Sequence, residues 1–414
     1  MSPGRRSRLV LAAFLIGSAT APAARAAPTL TPPVTVVPSN GLPPEVVDNR
    51  SNNNVHAIRH AGRVYMVFRT AKWHIASEDA KLYVVSSSDQ VHWRFEGAFE
   101  YGRDLREARL LSWHGRLYLY FALLGANPAQ FEPGGTMATR QLAPGRWTPP
   151  QRILFDDFIP WAVKVHHGVP YMLGYTGGGG TFSPNPPDKD VYWLKTSDGF
   201  HWSAVEPGRA VVYTGQCGET DFEFRHDGSL VTACQTENDD RLGWGAKVCT
   251  APPHHSAIWT CRGDTRRLDS PFVFEDASGV YVIARRQPAF NGEYDLHLDS
   301  LPDRNAKFAS YDASYAGTPK RCALWRIDPA TRAFEPLLDL PSKGDTCYPA
   351  VIPEGHGHYV VYNYTSPVDG PDEPWGTALL HGPTLIYRTT LAFVHSHRSL
   401  PRHPRALQSP PRKG

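Results

Sequence analysis

Asn54-Val-His-Ala-Ile-Arg-His-Ala-Gly-Arg-Val-Tyr-Met-Val-Phe-Arg69 sets the pattern of this chain. A polar start leads into a short apolar strand. Ala61-Gly62 reverses the chain, and a second apolar, aromatic strand returns. The unit comes back at Arg106, Pro160, Glu219, Asp269 and Tyr348, each time with Gly at or beside its turn. Spacings of about 50 to 80 residues suit a four-stranded propeller blade. Further strands are expected from Lys81, Asp190, Ala246, Arg321 and Pro383, and Val34-Thr-Val-Val37 could complete the last blade and close a ring. The expected fold class is all-β, a β-propeller of six four-stranded blades. Five blades with an accessory hairpin is the alternative, and a β-sandwich fits six matched hairpins less well.

Composition agrees. The 414 residues hold 35 Gly, 38 Pro, 11 Trp, 18 Tyr and 18 Phe without helical periodicity, the signature of a turn-rich β protein. Residues 1–26 carry Arg5, Arg6 and Arg8, an apolar run and Ala24-Arg25-Ala26, the order of a secretory signal peptide. Its apolar run is too short to cross a bilayer, and no later run is long enough. Cleavage would remove four arginines and no acid, taking the formal charge from +3 to −1. Residues 395–414 hold five Lys/Arg, no acid and several Pro, and are expected to be a disordered basic tail. The propeller over 27–394 is therefore acidic, which argues against nucleic acid as a partner. A monomer, secreted or periplasmic, is expected.

Six cysteines fall between Cys217 and Cys347. Export makes disulfides plausible, and six cysteines allow 15 pairings. Cys249 and Cys261 flank an expected hairpin and are the favoured pair. No Cys-x-x-Cys spacing marks a metal site.

Chain direction places the candidate site. The start of each first strand and the end of each second strand lie at the mouth away from the hairpin turns. The start column reads Asn54, Glu107, Trp161, Glu219, Asp269 and Tyr348. The end column, seven residues past the turn glycine, reads Arg69, Ala122, Tyr175, Gln235, Arg286 and Tyr364. Long loops over 70–80, 125–136, 177–189, 236–245, 287–319 and 365–382 open on the same mouth, where sites tend to sit on a rigid scaffold. Carboxylates, arginines and aromatics there suit a carbohydrate.

Two outer-strand turns, Ser87-Ser-Asp-Gln-Val-His-Trp93 and Ser197-Asp-Gly-Phe-His-Trp202, resemble the Ser-x-Asp-Gly-x-x-Trp turn of the sialidase-like and furanosidase-like glycoside hydrolase propellers. Asp accepts backbone donors there, Gly permits positive φ and Trp plugs between strands. With the hairpins, the resemblance covers most of residues 50–394. Sialidases bind the substrate carboxylate with three arginines and use a Tyr nucleophile with a Glu partner and an Asp acid/base. Their first arginine opens blade one, where this chain has Asn53-Asn54-Val55-His56. Arg69, Arg106 and Arg286 could form the triad instead. Furanosidase-like members draw three carboxylates from separate blades, and Glu107, Glu219 and Asp269 could supply them, with Asp221 as a substitute.

The function expected is glycosidic hydrolysis, possible as sialidase-type cleavage, with Glu107, Glu219 and Asp269 catalytic. Arg69, Arg106, Asp221, Tyr175, Arg286, Tyr348 and Tyr364 would hold substrate. The alternative is a non-catalytic propeller that binds carbohydrate or a cell-surface partner. No cofactor is expected, and the acidic run Glu237-Asn-Asp-Asp240 offers a weak Ca²⁺ site at most. No Gly-x-Ser-x-Gly elbow, His-Glu-x-x-His or phosphate loop occurs.

Overall fold

The computed structural model describes residues 27–393 other than 129, 182–185 and 302. The expected signal peptide and basic tail lie outside these residues. Six antiparallel sheets form a six-bladed propeller. The first two strands of the blades are Ser51–His60 with Arg63–Ala71, Leu105–Trp113 with Arg116–Leu124, and Ile159–His166 with Val169–Thr176. Cys217–Phe224 with Leu230–Thr236, Asp269–Asp276 with Gly279–Arg286, and Ala350–Gly355 with His358–Thr365 follow. Blade 6 takes its outer strand from the start of the chain: Thr35 pairs with Tyr387 and Val37 with Ile386.

Side chains alternate across a strand, so both faces of an inner sheet must find partners. In blade 1, Val64, Met66 and Phe68 join a cluster with Tyr362 and Ile386 of blade 6. Tyr65 and Val67 face the other way, against Leu110 and Leu119 of blade 2. Similar clusters join blades 2 and 3, 4 and 5, and 5 and 6. A fully buried apolar side chain is worth about 1.5–3 kcal/mol, so these faces fasten the ring.

The Asp-containing turns behave as the resemblance implies. Asp89 Oδ1 accepts from the amides of Val91 and His92, and Asp198 Oδ1 from those of Phe200 and His201. Where the motif has Gly, Gln90 adopts a φ of 61°. Its side chain accepts from the Tyr362 hydroxyl at 2.8 Å, tying blade 1 to blade 6.

Every first strand except that of blade 6 breaks register near its start. These β-bulges leave Asn54, Glu107 and Ser270 unpaired with φ of 46°, 51° and 51°. A bulge re-aims a side chain, and a non-glycine residue held there costs about 1–3 kcal/mol. The register corrects the start column in blade 5: the counterpart of Glu107 is Ser270, one residue past Asp269.

Three disulfides form, including the expected Cys249–Cys261. Cys217–Cys234 spans the first hairpin of blade 4, and Cys322–Cys347 ties blade 5 to the entry of blade 6. Two helices rise from the mouth loops: α1, Arg304–Ala316, and α2, Trp375–His381. Asp303 caps α1 by accepting from the Ala306 amide.

Candidate active site

The mouth where the first strands begin holds a cavity of about 420 Å³. Two carboxyls, Glu107 and Glu219, reach it from the bulges of blades 2 and 4. Asn54 Nδ2 donates to Glu107 Oε2 at 3.1 Å, and the Ser270 amide donates to Glu219 Oε2 at 2.7 Å. The bulge residues of blades 1 and 5 thus orient the carboxyls of blades 2 and 4. Burial pushes the Glu107 carboxyl up, against the pull of Tyr348, Arg109 and Arg106. Glu219 is pushed up to about 8 by burial, then by the charges of Glu107 and Asp269. The shift favours its protonated form near neutral pH.

Three arginines line the same cavity. Arg106 Nε donates to Asp104 Oδ2 at 2.6 Å. Arg267 and Arg285 both approach Asp269, at 2.8 and 3.5 Å. Nε of Arg285 is buried without a hydrogen-bond partner among the described residues, and Nη1 of Arg267 has only an ion pair with Asp312 at 3.6 Å. Buried donors in this state carry a desolvation cost that a ligand acceptor would relieve.

Loops complete the wall. His74 from blade 1 places its Nδ1 2.6 Å from Asp345 Oδ2. Asp345 Oδ1 accepts from the Tyr364 hydroxyl at 3.1 Å and the Trp375 indole at 3.2 Å. Burial lowers the imidazole below its ordinary range, and Arg106 and Arg69 add to this against Asp345. Tyr175 and Phe131 supply aromatic surface, and Glu237 pairs with Lys189 at 2.7 Å.

The structure brings together Glu107, Glu219, Arg106 and Tyr175. The other expected residues stand elsewhere. Arg69 is fully buried below the cavity, bonded to Asp104 and to the carbonyls of Trp73 and Ile75. Arg286 points outward and forms a bidentate pair with Asp339 at 2.6 and 2.7 Å. The cause is the turn. Asp276 pairs with Gly279, so the two turn residues are Ala277 and Ser278, and glycine is already the first strand residue. In blade 1 His60 pairs with Arg63 and Gly62 lies inside the turn. Counting from the glycine overshoots by one, and one residue flips the strand face; Arg285 is the inward arginine.

Asp269 is buried behind the wall rather than on it. Burial would raise its pKa, but Arg267, Arg285 and Tyr315 outweigh that and hold it below the usual range. Asp221 sits deeper, accepting from the amides of Phe222 and Val273 and pairing with Lys164 at 2.9 Å. Tyr364 serves Asp345 and does not line the cavity. Tyr348 lies under the floor, 5.3 Å from the Trp161 ring with the Arg109 guanidinium 4.6 Å from its own centroid. Its hydroxyl is directed at Glu107 at a geometry short of a regular hydrogen bond.

His74, Arg267 and Arg285 were not singled out in the sequence. The signal for Arg285 was its neighbour. For His74 it was only membership of a long mouth loop, and for Arg267 its place two residues before a first strand.

A larger cavity, about 600 Å³, occupies the opposite mouth. Its acids Asp221 and Glu223 face Lys164 at 2.9 and 3.6 Å and Glu275 faces His226 at 3.3 Å, so among the described residues it holds no pair of unbridged carboxyls. In the acidic run, Glu237, Asp239 and Asp240 pair with Lys189, Arg304 and Lys247. Among the described residues no group of three or more His, Cys, Asp or Glu is placed to hold a metal ion.

The fold is a six-bladed β-propeller whose strand-start mouth carries two carboxyls, three arginines and a tyrosine. No protein-family model matches the chain, and no curated protein does. Among solved structures, a protein of unknown function from Dyadobacter fermentans aligns with a TM-score of 0.56 at 14% identity, over 84% of this chain and 98% of that one. Trypanosoma rangeli sialidase in complex with the inhibitor DANA aligns with a TM-score of 0.53 at 10% identity, over 82% of this chain. The match covers 55% of the sialidase, so this chain spans about half its length. At these identities the likeness is one of fold.

Proposed function

We propose that this protein is an exported glycoside hydrolase whose substrate carries an acidic group. The observation that carries the reading is the Glu107 and Glu219 pair on one cavity, with Glu219 held protonated near pH 7. A carboxyl kept neutral at working pH can give its proton to a leaving glycosidic oxygen. Glu107, oriented by Asn54, would oppose the positive charge that develops at the anomeric carbon. Arg106, Arg267 and Arg285 would bind the acidic group, since guanidinium forks suit carboxylates and sulfates. Tyr175 and Phe131 offer faces for a sugar ring. Three disulfides support export.

Release of chromophore from aryl glycosides of neutral and acidic sugars tests this. Turnover of an acidic glycoside, lost in Glu219→Gln, is the expected result. The ion pairs that lock Asp104, Asp269 and Asp345 favour a second reading, a propeller that binds acidic glycans without cleaving them. Binding to a glycan array without turnover of any glycoside would select it.

A further inference from the structure

We propose that His74, oriented by Asp345, is the base that takes a proton from the water attacking the anomeric carbon, across the cavity from Glu219. The proposal rests on the hydrolase reading above and adds the second proton-transfer group.

Geometry carries it. Asp345 is fully buried and its carboxylate is fixed on both oxygens, by His74 on one and by Tyr364 and Trp375 on the other. The Ser366 hydroxyl also accepts from the Asp345 amide at 3.0 Å. A carboxylate so held accepts from Nδ1–H, which leaves the lone pair on Nε2. That nitrogen has no hydrogen-bond partner among the described residues, while its ring lines the cavity that holds Glu219.

The ring supplies the opposition. His74 comes from blade 1 and Glu219 from blade 4, and in a closed ring of six these blades face each other across the axis. The charged and titratable groups around the imidazole are Asp345 and Tyr364 from blade 6, Arg69 from blade 1 and Arg106 from blade 2. Arg106 donates to the His74 carbonyl. Glu107, Glu219, Glu237, Arg267 and Arg285 share the cavity. Burial, with the two arginines, lowers the imidazole pKa against the pull of Asp345, while burial raises that of Glu219. Environments that push two groups apart in this way assign base and acid.

In the step, the water oxygen bonds to the anomeric carbon as its proton passes to His74 Nε2. The glycosidic C–O bond breaks, its electron pair stays on the leaving oxygen, and that oxygen takes the Glu219 proton. The products are an alcohol and a free sugar of inverted configuration. Imidazolium and carboxylate then re-equilibrate with solvent.

The experiment combines NMR of the first-formed anomer with pH profiles of kcat/KM for the wild-type protein, His74→Gln, Asp345→Asn and Glu219→Gln. Folding of each variant is checked by near-UV circular dichroism. Inversion by the wild type is expected, with kcat of His74→Gln down about 10²–10⁴-fold, KM little changed and the acid limb gone. Asp345→Asn should lose the same limb through the wrong tautomer. A retained anomer overturns the proposal without needing any variant. So does a His74→Gln profile that keeps its acid limb while Glu219→Gln is inactive; that outcome leaves the hydrolase reading standing. No turnover by folded wild-type protein overturns both.

Discussion

The buried carboxyl of Glu219 carries a pH-dependent stability cost, and the cost has a sign. Its folded pKa of about 8 lies above the roughly 4.3 of an unfolded glutamate. The folded state therefore binds the proton more tightly, and the contribution to stability is present below about pH 4.3 and lost as pH rises to about 8. Glu219→Gln has no proton to lose. It should melt above the wild type at pH 8–9, with the gap closing towards pH 4–5, while turnover falls about 10²-fold or more. Thermal melts across pH read the first effect, and a gap independent of pH would contradict it. Two neighbouring arginines provide a second contrast. Arg285→Met removes a cavity donor and should raise KM for an acidic glycoside about tenfold or more, by the 1.5–3 kcal/mol of a charged hydrogen bond. Arg286→Met breaks a surface pair with Asp339, worth about 0–1 kcal/mol, and should leave KM alone. Equal effects on KM would undo the assignment. This one-residue distinction was out of reach in the sequence, because the glycine that marks the turn elsewhere is a strand residue at Gly279.

At the scale of elements, the hairpins were legible because each inner strand is apolar on both faces and each turn carries a glycine. The bulges were not. Glu107 and Ser270 as residue types do not announce a positive φ, although Asn54 tolerates one, and only the ladder shows the three to be equivalent. The start column still found Glu107 and Glu219, because bulge positions stand out as polar residues ahead of an apolar run. Asp269 stands out in the same way, yet it faces Arg267 and Tyr315. The Asp-Gly turn of blade 3 yields a prediction of its own. A Cβ at Gly199 would lie 2.4 Å from the Tyr118 ring, on backbone with φ of 86°. Gly199→Ala should cost about 1–3 kcal/mol through overpacking and backbone strain, seen as a lower denaturation midpoint. Gln90, at the same point of blade 1, has room because its side chain turns towards Tyr362.

Ring closure belongs to the whole molecule. Val34–Val37 adds an outer strand to blade 6 beside Leu385–Ala392, and Thr29–Leu30 extends the same edge. The sequence showed this strand because its alternating valines precede the first unit with no partner nearby. The junction of blades 6 and 1 does not depend on it alone. The Asn52 amide donates to the Thr384 carbonyl at 3.2 Å, and Trp93 packs edge-on against Tyr362 at 6.2 Å. Deleting the chain through Val37 should therefore leave the ring shut and the cavity residues in place. What is lost is the burial of Val36 and Val37, 3% and 0% exposed. At about 1.5–3 kcal/mol each, that loss should lower the melting temperature by several degrees. It also bares one edge of Leu385–Ala392, and an open edge recruits other chains. The shortened protein should be active per folded molecule, less stable and prone to concentration-dependent aggregation by light scattering. Loss of activity from monomeric, folded material would mean instead that the mouth geometry is transmitted through the closing strand.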